Sequence, residues 1–251
     1  MNDRFGPMAA EYARHRPNYP EAFWDAYVAR LEPRAVVWDC GCGSGQAALA
    51  LARRGVRVIA TDASAAQLDA AESHPLISYR QAPVEASGLA EGSVDGVLVA
   101  AAVHWFAGPA FNAEVRRVGK PGAVMAWIGY LPFQLAGDGT QALQAVLDHC
   151  YGTTLEPWWP PERRWVDQGY AGLPFPGQEW PFPKNLWIER HWDLSQLMGY
   201  VGTWSAVQAA RATGVDPLPA LRSALLPLWP QGGATALHVR WSFMGRWGQL
   251  N

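Results

Sequence analysis

Glycines at positions 41, 43 and 45, set directly behind the apolar run Val36-Val37-Trp38 and an aspartate, Asp39, constrain this chain more than any other feature. An apolar run that stops in alternate glycines and continues as Gln46-Ala47-Ala48-Leu49-Ala50-Leu51-Ala52 reads as a buried parallel strand, a tight turn and a helix. That is the first unit of a nucleotide-binding sheet. Glycine lets the backbone bend sharply and come close to a ligand, and the helix start offers free N–H groups. The next apolar run, Val56 to Thr61, ends in Asp62, an acid placed to accept hydrogen bonds from both hydroxyls of a ribose. A dinucleotide fingerprint needs a glycine at the sixth position counted from Gly41, where this chain has Gln46, so the pyrophosphate reading is weakened. Asp39 and Asp62 together favour a ligand that carries an amine and a ribose.

The rest of the chain supplies the sheet. Ile77 to Ala82 alternates as a short third strand, Ser93 to Val103 is almost wholly apolar and belongs in the sheet centre, and Ala123 to Tyr130 forms a fifth strand. Helices are expected over Ala63–Ser73 and Phe111–Val118 between them, and two more, one from about Phe5 to Arg16 and one over residues 20–31, before the first strand. A sixth strand over Leu186–Trp192 and an antiparallel seventh over Ala236–Met244 complete a Rossmann-like, doubly wound seven-stranded α/β fold. Between residues 131 and 235 the pattern is proline-rich and aromatic, too apolar for a disordered linker. It reads as a helical and irregular cap over the strand ends, with most of the 14 tryptophans after residue 100 supplying walls. One domain is expected over 1–251: N-terminal helices 1–32, a ligand-binding core 33–130, the cap with the sixth strand 131–235, and the last strand 236–251.

Charge and cysteine usage narrow the partners. A net charge of −2 with no run of basic residues gives no attraction to nucleic acid. Three cysteines, at 40, 42 and 150, make neither a disulfide framework nor a metal set. No apolar run reaches membrane-spanning length and no signal peptide is read, so a cytoplasmic protein with reduced thiols is expected. Oligomeric state is not legible.

Several words of the sequence fall together: FGPMAAEYARHRPNYP, VVWDCGCGSGQ, TDAS, QAPVEASGLAEGSVDGVLVAAAVHWF, VRRVGKPGAVMAWIGY and TWSA. Over nearly its whole length the chain resembles the class I S-adenosylmethionine-dependent methyltransferases, in the small-molecule branch that includes the trans-aconitate methyltransferases. The resemblance implies S-adenosylmethionine as cofactor. Asp39, Gly41, Cys42, Gly43, Gly45 and Gln46 would hold its methionine end, with Tyr12 and Arg16 closing over it from the N-terminal helix. Asp62 would take the ribose hydroxyls, Ala63 would lie under the adenine, and Val84 and Glu85 would flank it. Pro83 stands where many relatives have an aspartate, so Glu85 or a carbonyl would receive the adenine amino group. Ala100 and His104 would line the cofactor at the end of the fourth strand, and Trp105, Tyr130 and Trp204 would wall the acceptor.

The implied chemistry is in-line displacement at a sulfonium methyl, to which the protein contributes alignment and water exclusion. A small-molecule carboxylate, already ionised, would need only a cation, for which Arg163, Arg164 and Arg190 are candidates. A hydroxyl, amine or thiol acceptor would need a base, and His104 is the best-placed imidazole. An NAD-dependent oxidoreductase and a non-catalytic cofactor-binding protein are the readings outside this class.

Overall fold

The structure, a computed structural model, describes residues 15–251. Tyr12 and nearly all of the predicted N-terminal helix lie outside the described residues. The first described helix, α1 (Glu21–Val28), starts after Pro20 and buries Phe23, Trp24 and Tyr27 on one stripe.

Five parallel strands follow, with helices between all but the third and the fourth. These are β1 (Val36–Cys40), α2 (Gln46–Ala52), β2 (Arg57–Asp62), α3 (Ala65–Asp69), β3 (Ile77–Gln81), β4 (Val94–Ala100), α4 (Pro109–Val118) and β5 (Gly119–Tyr130). The remaining elements are β6 (Gln134–Ala136), α5 (Gln141–His149), α6 (Arg163–Asp167), β7 (Gly177–Trp180), β8 (Trp187–Trp192), α7 (Leu194–Gly202), α8 (Ser205–Ala212), α9 (Leu218–Leu225) and β9 (Leu237–Leu250). The sheet order is β3-β2-β1-β4-β5-β9, with β1 to β5 parallel and β9 antiparallel to β5. This is the predicted doubly wound sheet with an antiparallel last strand. Its centre is apolar on both faces: Tyr27, Leu51 and Leu98 belong to one buried cluster, and Trp38, Val97, Val99 and Phe111 to the other.

Three differences from the sequence reading have local causes. The helix after Asp62 stops at Asp69; beyond it the Glu72 carbonyl accepts a hydrogen bond from the Tyr79 hydroxyl, and Pro75 keeps His74 out of helical conformation. The last strand runs on to Leu250. Its second half lies between β5 and the short β7, and its first half between β6 and β8, so β9 carries the cap as well as closing the sheet. The strands β6 and β7, only three and four residues long, are too short to show a period in sequence.

Gly45 illustrates how tightly the turn is built. Its φ of +79° is left-handed, and a Cβ there would stand 2.2 Å from the Tyr79 hydroxyl. Gly45→Ala therefore costs about 1–2 kcal/mol from backbone strain alone, plus a steric term. Chemical denaturation of Gly45→Ala, Tyr79→Phe and the double variant should show the double variant recovering part of the loss; strictly additive losses would contradict the contact.

Candidate active site

The glycine turn leaves β1 with Gly41, Gly43 and Gly45 all at positive φ. Asp62, at the end of β2, fixes it: one carboxylate oxygen accepts the Gly43 amide at 2.8 Å and the other accepts the Ser64 amide at 2.9 Å. The Cys42 amide donates to the Thr61 carbonyl, and the Gly45 amide to Cys42. Gln46 opens α2. Each Asp62 oxygen keeps a second lone pair for a ligand.

Asp39 is fully buried on β1; the Ala48 backbone amide pulls on its carboxylate, but neither oxygen has a well-formed hydrogen bond among the described residues. Burial, and after it the negative charge of Asp62, raise its carboxyl to about 7, against a pull from the Ala48 amide. A buried acid with no well-formed hydrogen bond among the described residues is costly in a fold alone. Ala63 and Glu85 are exposed and Val84 is buried at the mouth of the same edge. The loop that carries Val84 and Glu85 is tied down by Glu114, which accepts both the amide and the hydroxyl of Ser87 and binds Arg117 through two nitrogens.

Beyond Ala100 the chain turns at Ala101, whose φ of +53° is left-handed, and enters a short 3-10 turn, Val103–Trp105. A non-glycine residue in that conformation carries strain and is often found at a functional site. The turn splits the three aromatic side chains between two jobs. Phe106 packs on the glycine turn, with its ring edge 3.1 Å from where a Gly41 Cβ would be. His104 and Trp105 line a cleft together with Ala101, Tyr130, Tyr170 and Trp204. Arg16, Trp159, Pro160, Arg163, Val166 and Ser205 complete its walls.

The predicted site residues thus form two neighbouring groups. Asp39, Gly41 to Gln46 and Asp62 surround the ends of β1 and β2, while His104, Trp105, Tyr130 and Trp204 meet in the cleft. Arg16, read from sequence as closing the methionine end, lines the cleft and donates to the Tyr130 hydroxyl at 2.7 Å and to the Thr203 carbonyl at 3.2 Å. Of the three candidate cations only Arg163 reaches it. Arg164 lies over the Trp165 ring, and Arg190 donates to the Glu189 carbonyl on β8. Sequence reasoning missed Trp159 and Tyr170, since the cap that delivers them has no period.

His104 stacks beside Trp105, with ring centres 4.6 Å apart, and faces Tyr170 nearly parallel at 6.3 Å. Its Nδ1 is buried and, among the described residues, has no hydrogen-bond partner and no carboxylate to orient it. Burial, then the positive charges of Arg163 and Arg16, lower its pKa to about 3, so the ring is neutral through the physiological range.

Residues 38–127 match the family model described as a methyltransferase domain. A Dictyostelium discoideum protein described as a candidate methyltransferase is 30% identical over 229 residues, covering 90% of this chain and 86% of its own. A solved structure from Anaeromyxobacter dehalogenans, described as a candidate type II methyltransferase, is 42% identical, with a TM-score of 0.81 over 93% of this chain and 97% of its own. The chain belongs to the class I methyltransferases. That class takes its methyl group from S-adenosylmethionine, which is the cofactor of this methyltransferase. A Mycobacterium tuberculosis methyltransferase is 35% identical over 123 residues, about half of each chain. The oxidoreductase and non-catalytic readings fall with this match. No helix of the methyltransferase, among the described residues, is long and apolar enough to cross a membrane.

The two shifted groups have opposite linkage. Folded His104 refuses the proton that the unfolded chain binds below 6.5, so it removes stability as pH falls from about 6.5 towards 3. Folded Asp39 keeps a proton that the unfolded chain releases above 3.8, so it adds stability as pH falls from about 7 towards 4. His104→Gln should uncover the second slope. Denaturation at pH 4.5, 5.5 and 6.5 should show the variant gaining on the wild type by up to about 1.4 kcal/mol per pH unit on acidification; a constant difference would contradict a neutral buried His104.

Proposed function

We propose that this methyltransferase transfers the methyl group of S-adenosylmethionine to the carboxylate of a small-molecule acceptor, giving a methyl ester. The observation that carries the reading is the cleft at the end of β4, in which Arg16 and Arg163 stand beside a neutral His104, with no acid among the described residues that line it and Asp167 behind Arg163. Such a cleft attracts an anion and offers no strong base. A base of pKa about 3 has little driving force for removing a proton from a hydroxyl, amine or thiol at neutral pH. A carboxylate is ionised already and needs only to be aligned.

The cofactor fits the ends of β1 and β2. Bound there, S-adenosylmethionine supplies a methyl group on a positively charged sulfur that leaves as a neutral thioether. In this reading Asp39 meets the methionine ammonium, which answers its unpartnered burial, and the glycine turn gives the backbone close approach. Asp62 accepts the ribose hydroxyls on its remaining lone pairs while holding the turn through Gly43. Ala63, Val84 and Glu85 border the adenine, and Ala100 lies beside the cofactor. Trp105, Tyr130 and Trp204 exclude water from the acceptor, and Arg163 and Arg16 hold its charge near the methyl group. The amino-acid chain acts as a single domain of the boundaries given above, on an acceptor that is neither nucleic acid nor membrane, in the cytoplasm.

Two outcomes test this. With methyl-labelled S-adenosylmethionine and a panel of carboxylic acids, phenols and amines, the label should enter products that release methanol in mild alkali, and His104→Ala should lower turnover about tenfold or less. An alkali-stable label, with a loss of about 10²–10⁴-fold in His104→Ala at unchanged cofactor affinity, would reject the carboxylate in favour of base-assisted transfer. On the cofactor side, Asp39 should give up its proton to meet the ammonium, so calorimetric affinity should rise about tenfold from pH 6 to pH 8. Asp39→Asn should bind more weakly and lose the pH dependence; a pH-independent wild type would contradict the assignment of Asp39.

A further inference from the structure

We propose, building on the carboxylate reading, that the acceptor's carboxylate sits on a flat aromatic body, and that Tyr151 and Asp167 are positioning residues that hold Arg163 to receive it. Tyr151 lies in the irregular turn after α5, and Arg163 and Asp167 are the two ends of α6. The Arg163 Nε donates to the Tyr151 hydroxyl at 2.6 Å and to the Asp167 carboxylate at 3.2 Å. The Tyr151 hydroxyl in turn donates to the same Asp167 oxygen at 2.8 Å. The guanidinium also lies over two rings, 5.3 Å from the centre of Tyr151 and 5.0 Å from that of Trp159. Trp159 is itself fixed by its indole N–H, which donates to the Tyr151 carbonyl at 2.9 Å.

This frame engages Arg163 by its Nε edge and its ring-facing plane. Neither Nη group has a hydrogen-bond partner among the described residues, and those two groups are the ones that form a fork for a carboxylate. Arg16 differs. Its two Nη groups already donate to the Tyr130 hydroxyl and the Thr203 carbonyl. One prepared fork suits one carboxylate better than it suits an aliphatic polyacid, which would need a second.

The remaining walls indicate the body of the acceptor. Trp159 and Trp204 stand 5.8 Å apart at 44°, Tyr151 meets Trp204 edge-on at 5.4 Å, and His104 and Tyr170 face each other across 6.3 Å. A flat ring gains both dispersion and edge or face contacts against such walls, which an aliphatic chain gains only in part. These rings pack on one another with no gap for a further ring between them, so the cleft is read as a carboxylate fork beside aromatic walls that a flat ring can lie against.

Calorimetry on the full chain saturated with S-adenosylhomocysteine tests the proposal, with 2-naphthoate, its neutral isostere 2-naphthamide, and glutarate as probes. Wild type should bind 2-naphthoate at least about tenfold more tightly than either of the other two, as one lost charge-assisted hydrogen bond implies. Tyr151→Phe, which keeps the ring, and Asp167→Asn should narrow the naphthoate-to-naphthamide ratio while leaving naphthamide affinity unchanged. Arg163→Met should abolish the ratio. A purely structural role for Tyr151 would weaken both naphthyl ligands alike and overturn its assignment. Tighter binding of glutarate, or no binding of 2-naphthoate at millimolar concentration, would overturn the aromatic acceptor and leave the carboxylate reading standing. Equal binding of naphthoate and naphthamide to wild type would overturn both. Loss of S-adenosylhomocysteine binding in Arg163→Met would also overturn both, because Arg163 would then serve the cofactor.

Discussion

The hydrogen bond from the Gly43 amide to Asp62 is the interaction on which the site depends. Three left-handed glycines in five residues have no preferred conformation of their own, and an unheld turn of that kind would sample many. Asp62 reaches across from the neighbouring parallel strand and selects one, and its second oxygen anchors Ser64 at the start of α3. The register of β1 with β2, Asp39 opposite Ala60, places that acid beside the turn. A single carboxylate thus shapes the turn and the start of the helix that follows it.

The second half of the site is joined to the first through residues 101–106. The left-handed Ala101 ends β4 abruptly, so that Phe106 folds back on Gly41 while His104 and Trp105 face the cap. His104, which faces the cap, is two residues from Phe106, which packs on the glycine turn. The cap is held by the sheet in return. The long β9 pairs with β5 along its second half and with β6 and β8 along its first, so the aromatic walls rest on an extension of the central sheet rather than on loops alone.

Much of this was legible in the sequence. The strands of the core are apolar runs bounded by glycine, aspartate and proline, and their burial on both faces is what removes polar alternation. The positions of Asp39, the glycines and Asp62 were legible because each sits at the end of a core strand or in the turn after it, whereas Trp105, Tyr130 and Trp204 were singled out through the family resemblance. What was not legible depends on contacts between residues far apart in the chain. Arg16 is 114 residues from Tyr130, and its partner decides that it belongs to the cleft. Arg163 was one of three equivalent cations until Tyr151, twelve residues earlier, and the ring of Trp159 set it apart from Arg164 and Arg190. The short β6 and β7 carry too few residues to display a period, and α3 ends at Asp69, short of the expected Ser73.

The central claim is spatial: the cofactor lies over the glycine turn and presents its sulfur to the arginine-bearing cleft. A crystal structure of the complex with S-adenosylhomocysteine tests it directly. The account predicts ribose hydroxyls on Asp62, the amino group on Asp39, and the sulfur facing the space between His104, Tyr130 and Trp204, with the Arg163 Nη groups not bonded to the ligand. A homocysteine carboxylate seated on Arg163, or a sulfur turned away from that space, would contradict it.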